Sequence, residues 1–283
     1  MEVDLHTHST ASDGTLSPSE LIHEAKRIGL KAIALTDHDT TQGLEEAYLA
    51  SQKYDLEFIP GCELSVQFKG MTHILGLWLQ RDAPVLNDAF VFLQKKRKQR
   101  NVLIIEKLNR LGIDITYAEV QKKAKGTIGR PHIAQVLTEK KVTRSVQEAF
   151  EVFLNNKGKA YVPKEKFSPE QAIKLLKQEQ ATVILAHPFS LNLSPLDLEK
   201  ELIYLKELGL DGIEAFYSEH SPELTQTYLH LAQKLDLQVS GGSDFHGQNK
   251  PHIKLGVGKN NLNLSYVLVQ RLKEYRAKQG LWV

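Results

Sequence analysis

The chain has 283 residues and a mass of 31.9 kDa, enough for one α/β barrel or for a core domain carrying an insertion. Its 36 basic and 34 acidic residues leave a formal charge of +2, which argues against a global field that gathers nucleic acid and leaves only local patches. With Cys62 as the sole cysteine, no intrachain disulfide and no thiolate cluster can form, so any metal is held by imidazole and carboxylate.

Apolar runs are too short to cross a bilayer, and residues 2–5 read as a strand with no basic or apolar leader before them, so a soluble protein of the reducing cytoplasm is expected. A unit then recurs along the chain: a short apolar run, a polar tip and a stretch of helical periodicity. Strand 2–5 leads to the tip 6–14 and to helix 18–28, where Ser17, Pro18 and Glu20 mark the start and Leu21, Ile22, Ala25 and Ile28 form the apolar stripe. Strand 31–35, the tip 36–40, a helix to about 52, strand 57–60 and the pair 63–66 and 73–78 follow. From 87 to 162 the rhythm breaks into four helical patterns with no convincing strand, including the long run 87–111, and this reads as a helical insertion. The cycle resumes with helix 169–179, strand 182–185, helix 195–208, strand 212–215, helix 222–235 and strand 237–240, before a closing helix at 265–278. The expected domains are a barrel built from 1–86 and 163–283, and an insertion subdomain at 87–162. Strands separated by helices suggest a barrel of six to eight strands, with its active site at the C-terminal strand ends.

Donor side chains gather at those ends. His6 and His8 are two apart on an extended segment, so both imidazoles face one way. His38 lies in Thr36-Asp37-His38-Asp39, where either Asp could orient an imidazole. Asp13 in Ser12-Asp13-Gly14 reads equally well as a turn residue. His187 precedes Pro188, which keeps it extended, while Gly241 and Gly242 let the backbone turn before Asp244 and His246. With Glu63 and His73 these make nine candidate ligands, more than one ion needs. Two or three divalent ions are implied, with Glu63 as the natural bridge; imidazole and carboxylate without sulfur suit Mn, Fe or Zn better than Mg or Ca. Such clusters lower the pKa of a bridging water and neutralise a phosphoryl oxygen, which points to a phosphate ester substrate.

His6-Thr7-His8-Ser9 with Ser12-Asp13-Gly14, Thr36-Asp37-His38, Ala186-His187-Pro188 and Ser243-Asp244-Phe245-His246 together resemble the PHP family of polymerase and histidinol phosphatase domains. The resemblance implies a distorted (β/α)7 barrel with a trinuclear site. It assigns His6, His8, Glu63 and Asp244 to one ion, Glu63, His73 and His187 to a second, and Asp13, His38 and His246 to a third. Gly129-Arg130-Pro131-His132 and the helical insertion are similar to the TrpH/YciV-like branch, which implies action on 3',5'-bisphosphorylated nucleosides and on the 5' ends of short oligoribonucleotides.

Arg130, ahead of a Pro131 that would open a helix, is a candidate phosphate ligand, since its planar fork matches phosphate. His220, after strand 212–215, is a candidate phosphate contact or general acid, with a surface histidine as the competing reading. His132 could simply pack; the run 95–100 could hold an RNA backbone or be a solvated helix face; His23, His230 and His252 belong to no motif. The leading function is a metal-dependent phosphoesterase of nucleotides acting through a metal-bridging hydroxide, with manganese first among the metals, no membrane and no obligate protein partner. Histidinol-phosphate phosphatase is the enzymatic alternative. A noncatalytic metal- or RNA-binding module is the alternative of another class.

Overall fold

A computed structural model describes residues 2–80, 82–123 and 128–283. Residues 124–127 of the expected insertion, and Met1 and Arg81 of the expected barrel segments, lie outside the described residues. The chain divides into two compact units, one of Met1–Asp88 with Phe167–Val283, the other of Ala89–Lys166.

The first unit is a mixed α/β barrel, nearly closed, of seven strands in the order of the chain: β1 Val3–Asp4, β2 Ala32–Leu35, β3 Glu57–Val66, β4 Thr72–Leu77, β5 Thr182–Leu185, β6 Gly212–Tyr217 and β7 Gln238–Gly242. β1, β2 and β3 run parallel, as do β5, β6 and β7; β4 is antiparallel to both its neighbours, because five residues between β3 and β4 leave no room for a helical crossover. The runs read separately at 57–60 and 63–66 are one strand. Gly61 keeps it continuous, since a Cβ there would lie 2.8 Å from the Gly76 carbonyl oxygen on β4. The residues after β1 close the ring: Leu5 N–H donates to Gly241 O, Asp244 N–H to His6 O and His8 N–H to Phe245 O, at 3.2, 2.9 and 2.9 Å.

Helices α1 Pro18–Arg27 and α2 Leu44–Ser51 follow β1 and β2. The start of α1 is a reciprocal cap in which Ser17 Oγ accepts Glu20 N–H and the Glu20 carboxylate accepts Ser17 N–H; Leu21, Ile22 and Ala25 are buried, as the apolar stripe requires. The helix α3 Pro84–Arg110 begins in this unit and runs on into the second. Within the second unit lie α4 Tyr117–Gln121, α5 Arg130–Glu139 and α6 Val146–Ala149, which continues as a π-helical turn over Phe150–Leu154; no strand occurs there among the described residues. Its core is built from Ile104, Leu108, Ile133, Leu137 and Leu154.

Back in the barrel unit come α7 Pro169–Gln178, α8 Pro195–Leu208, α9 Pro222–Lys234 and α10 Val267–Lys278. The barrel core joins Val3, Leu5, Ala34, Ile59, Leu75 and Ile184 to Leu264, Val269 and Leu272. α10 covers the N-terminal ends of the parallel strands, where Lys273 pairs with Glu57 and Arg276 donates to Gln180 O and Thr182 Oγ1. The opposite end is left for chemistry.

Candidate metal centre

Glu63, buried on β3, is the hub. Its Oε1 lies 2.8 Å from His73 Nδ1 and 3.0 Å from His187 Nε2, and its Oε2 lies 3.0 Å from His38 Nδ1 and 3.2 Å from both His6 Nε2 and His8 Nε2. Asp244 Oδ1 stands 3.2 Å from His8 Nε2 and 3.6 Å from His6 Nε2. Asp13 Oδ1 lies 3.2 Å from His246 Nε2 and 3.9 Å from His8 Nδ1, with its Oδ2 4.0 Å from His38 Nε2. All nine candidate ligands therefore come to one end of the barrel.

Eight of them fall into three groups whose donor atoms lie within 4.8 Å of one another: His6, His8, Glu63 and Asp244; His8, Asp13, His38 and His246; and His38, Glu63 and His73. The first matches the set implied by the family resemblance. In the second His8 joins the expected trio, and in the third His38 stands beside Glu63 and His73, while His187 reaches the same Glu63 oxygen.

Backbone geometry explains the convergence. His6 and His8 flank Thr7, which bridges Phe245 in parallel, so the pairs 6/8 and 244/246 face the same way across the closing seam. Gly242 has to be glycine, because a Cβ there would meet His6 Cβ at 2.4 Å. His73 departs from the expected rule for strand ends: it sits near the start of β4, and the reversed direction of that strand carries it to the end where the parallel strands finish. Two of the candidate ligands, His187 and Asp244, adopt left-handed backbone with φ of +26° and +59°.

Several donor atoms have close neighbours yet no hydrogen bond of proper geometry: His6 Nε2, both nitrogens of His8, His38 Nδ1 and Glu63 Oε2, all shut off from solvent. Buried polar atoms left unpaired are costly, and atoms converging on shared points are what cations would satisfy. The donor set fits divalent ions. Burial disfavours charge on these groups, but mutual attraction outweighs it. The carboxylates of Glu214, Glu63 and Asp244 hold the His6 pKa well above the ordinary value, and Asp244 and Glu63 push His8 up to about 9. Against their own burial, the imidazoles around Glu63 and Asp244 hold both carboxyls well below the usual carboxylate range.

Residues outside the motifs orient the ligands. Glu214 on β6 places Oε1 3.0 Å from His6 Nδ1 and accepts His187 N–H on Oε2 at 2.8 Å. Ser190 Oγ lies 3.0 Å from His187 Nδ1. Tyr217 O–H and Lys250 Nζ donate to Asp244 Oδ2 at 2.7 and 2.6 Å. Asp37 and Asp39, considered above as imidazole partners, bind the loops: Asp37 accepts from Ser9 N–H and from the Ser9 and Ser12 hydroxyls, and Asp39 from Ser65 N–H and Oγ–H. The alternation of β6 places Glu214 on an inward face, yet nothing in the sequence singled it out.

His220 packs at steep angles against Tyr217, Phe189 and Tyr228 with ring centroids 5.1, 5.5 and 4.8 Å away. Its Nδ1 is 2.9 Å from Ala215 O, which only accepts, so Nδ1 carries the proton. Nε2 is buried without a partner, and burial lowers the pKa of the ring.

Within the second unit, Arg130 is the first residue of α5, one position earlier than the expected helix start at Pro131. Its NH1 donates to Leu154 O at 2.9 Å and its guanidinium lies over Phe150. His132 Nδ1 accepts Gly129 N–H, a helix cap. The run 95–100 is not one basic face, since Arg100 is buried and donates Nε–H to Val162 O at 2.7 Å.

A seven-stranded barrel with one antiparallel strand and a histidine-rich, carboxylate-bridged end defines the class, and the comparisons agree. The chain belongs to the PHP domain family, whose model matches residues 4–181. It is 34% identical over 244 residues to a 5'-3' exoribonuclease of Haemophilus influenzae, covering 86% of this chain and 89% of that protein. It is 29% identical over 247 residues to a 3',5'-nucleoside bisphosphate phosphatase of Chromobacterium violaceum, covering 86% and 87%. A solved structure of a candidate metal-dependent phosphoesterase from Bifidobacterium adolescentis superposes with a TM-score of 0.78 at 31% identity, covering 98% of this chain and 96% of the other.

Proposed function

We propose that this chain is a metal-dependent phosphoesterase of nucleotides, removing the 3'-phosphate of a 3',5'-bisphosphorylated nucleoside or releasing nucleotides from the 5' end of a short 5'-phosphorylated oligoribonucleotide. The observation that carries the reading is Glu63, each of whose oxygens faces two or more imidazoles between the flanking carboxylates Asp13 and Asp244. Relatives that resemble this chain over most of their length are, by their names, a 5'-3' exoribonuclease and a 3',5'-nucleoside bisphosphate phosphatase.

The residues that would hold the ions are His6, His8, Asp13, His38, Glu63, His73, His187, Asp244 and His246, as two or three sites, with manganese the first choice and iron or zinc the others. When bound, divalent ions of such clusters acidify a water to act as nucleophile near neutral pH and offset the charge on phosphoryl oxygens. The protein sets the positions. Glu214 and Ser190 keep His6 and His187 aimed inward, and Tyr217 holds the outer oxygen of Asp244. Lys250, on the same oxygen and partly exposed, places a cation at the rim that attracts a phosphate dianion. Arg130 is the proposed ligand of a second phosphate, because its planar fork of donors matches phosphate.

His220 is better suited to positioning than to giving a proton. Its tautomer leaves a lone pair on Nε2, burial opposes the imidazolium, and its ring packs on the Tyr217 that holds Asp244. A single, buried cysteine, Cys62, is in keeping with action in the reducing cytoplasm.

The test offers adenosine 3',5'-bisphosphate, a 5'-phosphorylated oligoribonucleotide and histidinol phosphate in parallel to the Mn-loaded protein, with Asp244→Ala as control. Turnover of a nucleotide substrate, lost in the variant, is expected. Turnover of histidinol phosphate alone would replace the reading with the biosynthetic one, and silence on all three would support the noncatalytic alternative.

A further inference from the structure

Four rings from separate parts of the chain meet beside the metal centre. Phe189 lies in the 3₁₀ turn Pro188–Leu191 that follows β5, Tyr217 ends β6, His220 comes just after it, and Tyr228 belongs to α9. Tyr217, His220 and Tyr228 are buried, whereas Phe189 keeps part of its surface open to solvent. Its buried neighbours in the turn, His187, Pro188 and Ser190, make it the apolar surface there that a ligand can still cover.

The open ring is firmly held. It packs on Tyr217 with 5.6 Å between centroids and 32° between planes, and on His220 at 5.5 Å, nearly edge to face. The turn that carries it is pinned through Ser190, whose hydroxyl donates to Met71 O at 2.6 Å and lies 3.0 Å from His187 Nδ1. A flat ligand settling on Phe189 therefore has little left to order, which is the condition for a stacking contact to favour binding.

The neighbours of the ring are themselves tied to the cluster. His187, with its ring centroid 6.5 Å from that of Phe189, directs Nε2 at Glu63, and Tyr217 donates to Asp244. One side chain separates the open ring from the donor atoms, much as one sugar separates a phosphate from its base. Stacking also holds every base alike, since each has a π-face, and this suits an enzyme that takes nucleotides whatever their base. We propose that Phe189 is the base-stacking platform of this phosphoesterase, holding the nucleobase of the nucleotide whose phosphate meets the metal centre. The inference rests on the nucleotide reading above and supplies the contact to the base that it lacks.

The experiment compares the metal-loaded wild type with Phe189→Leu, which keeps apolar bulk against Tyr217, and Phe189→Trp, which enlarges the π-face. Each is offered adenosine 3',5'-bisphosphate and the abasic 1-deoxyribose 3,5-bisphosphate. The wild type is expected to prefer the base-bearing substrate. Phe189→Leu should lower kcat/KM for that substrate by roughly 5- to 100-fold while nearly sparing the abasic one, and Phe189→Trp should restore the preference. Binding is read separately with 2-aminopurine riboside 5'-monophosphate, a probe with no 3'-phosphate to lose. Its fluorescence should be quenched by the wild type and the tryptophan variant and far less by the leucine variant. A ring that only packs against His187 would, when replaced, lower both substrates together, and that result overturns the proposal, as does a leucine variant that keeps the wild-type preference. Turnover of histidinol phosphate with neither bisphosphate touched would instead remove the nucleotide reading, and this proposal with it.

Discussion

Glu214 Oε1 lies 3.0 Å from His6 Nδ1, both side chains fully buried, so the outer nitrogen of this imidazole is engaged and Nε2 is turned toward Glu63 and Asp244. A carboxylate in that position fixes ring orientation and raises ligand basicity. Glu214→Gln keeps the shape but removes the charge. It is expected to weaken metal affinity by roughly 10- to 100-fold, measured by competition with a chelator, with unchanged far-UV circular dichroism. Unaltered affinity would show that Glu214 serves the fold alone.

The raised pKa of His8 links protons to stability. A histidine raised from 6.5 to about 9 in the folded state contributes stability that is fully present below 6.5 and lost as pH rises through 9. With chelator present, the melting temperature should therefore fall between pH 6.5 and 9. Ions require the neutral ring, so their affinity should rise over that window with proton release, seen by calorimetry in buffers of different ionisation enthalpy. A melting temperature that is flat or rising with chelator present would contradict the shift.

Removing the ions should cost both activity and stability. At about 1,000 times the dissociation constant each bound ion contributes about 4 kcal/mol, which raises the melting temperature by roughly 10 °C in a chain of this size. Asp244→Ala should lower kcat by roughly a thousandfold or more, since several kcal/mol of charge stabilisation depend on the cluster. A variant that retains wild-type turnover in added manganese would remove Asp244 from the ligand set.

His220→Phe preserves the packing against Tyr217, Phe189 and Tyr228 and removes both ring nitrogens. For a positioning residue the expected loss in kcat is less than about tenfold, with the pH profile unmoved, whereas a proton donor would lose roughly 10²- to 10⁴-fold. The pH–rate profile separates the two. For Arg130→Ala, a KM raised by about tenfold or more with kcat nearly kept is the expected mark of a phosphate ligand, read from steady-state kinetics.

Far from the metal centre, Arg276 is fully buried between Trp78 and Trp282, donating to Trp282 O, Gln180 O and Thr182 Oγ1. Arg276→Met strands these acceptors and should destabilise the barrel by about 3 kcal/mol in urea unfolding, with metal affinity unchanged. A loss under about 1 kcal/mol would show that the carbonyls find other donors.

Much of this molecule was written locally. The capped start of α1 at Ser17, the helix Pro195–Leu208 and the strand Thr182–Leu185 stand where periodicity and turn chemistry put them, because caps, apolar stripes and β-branched runs act within a few residues. His6 and His8 face one way for an equally local reason, the two-residue repeat of extended chain. What the sequence alone left undecided depends on pairings across long stretches of chain. Glu214 meets His6 across 208 residues, and the antiparallel β4 brings His73 to the end where its neighbours finish. His220 is reduced to a buried ring by what packs on it, and Arg276 gains its acceptors from the N-terminal end of β5. Residue type and spacing determined which atoms can bind an ion; only barrel closure decided which of them stand close enough to share one, because a donor's partners are set by distance in space and its chemistry by its own side chain.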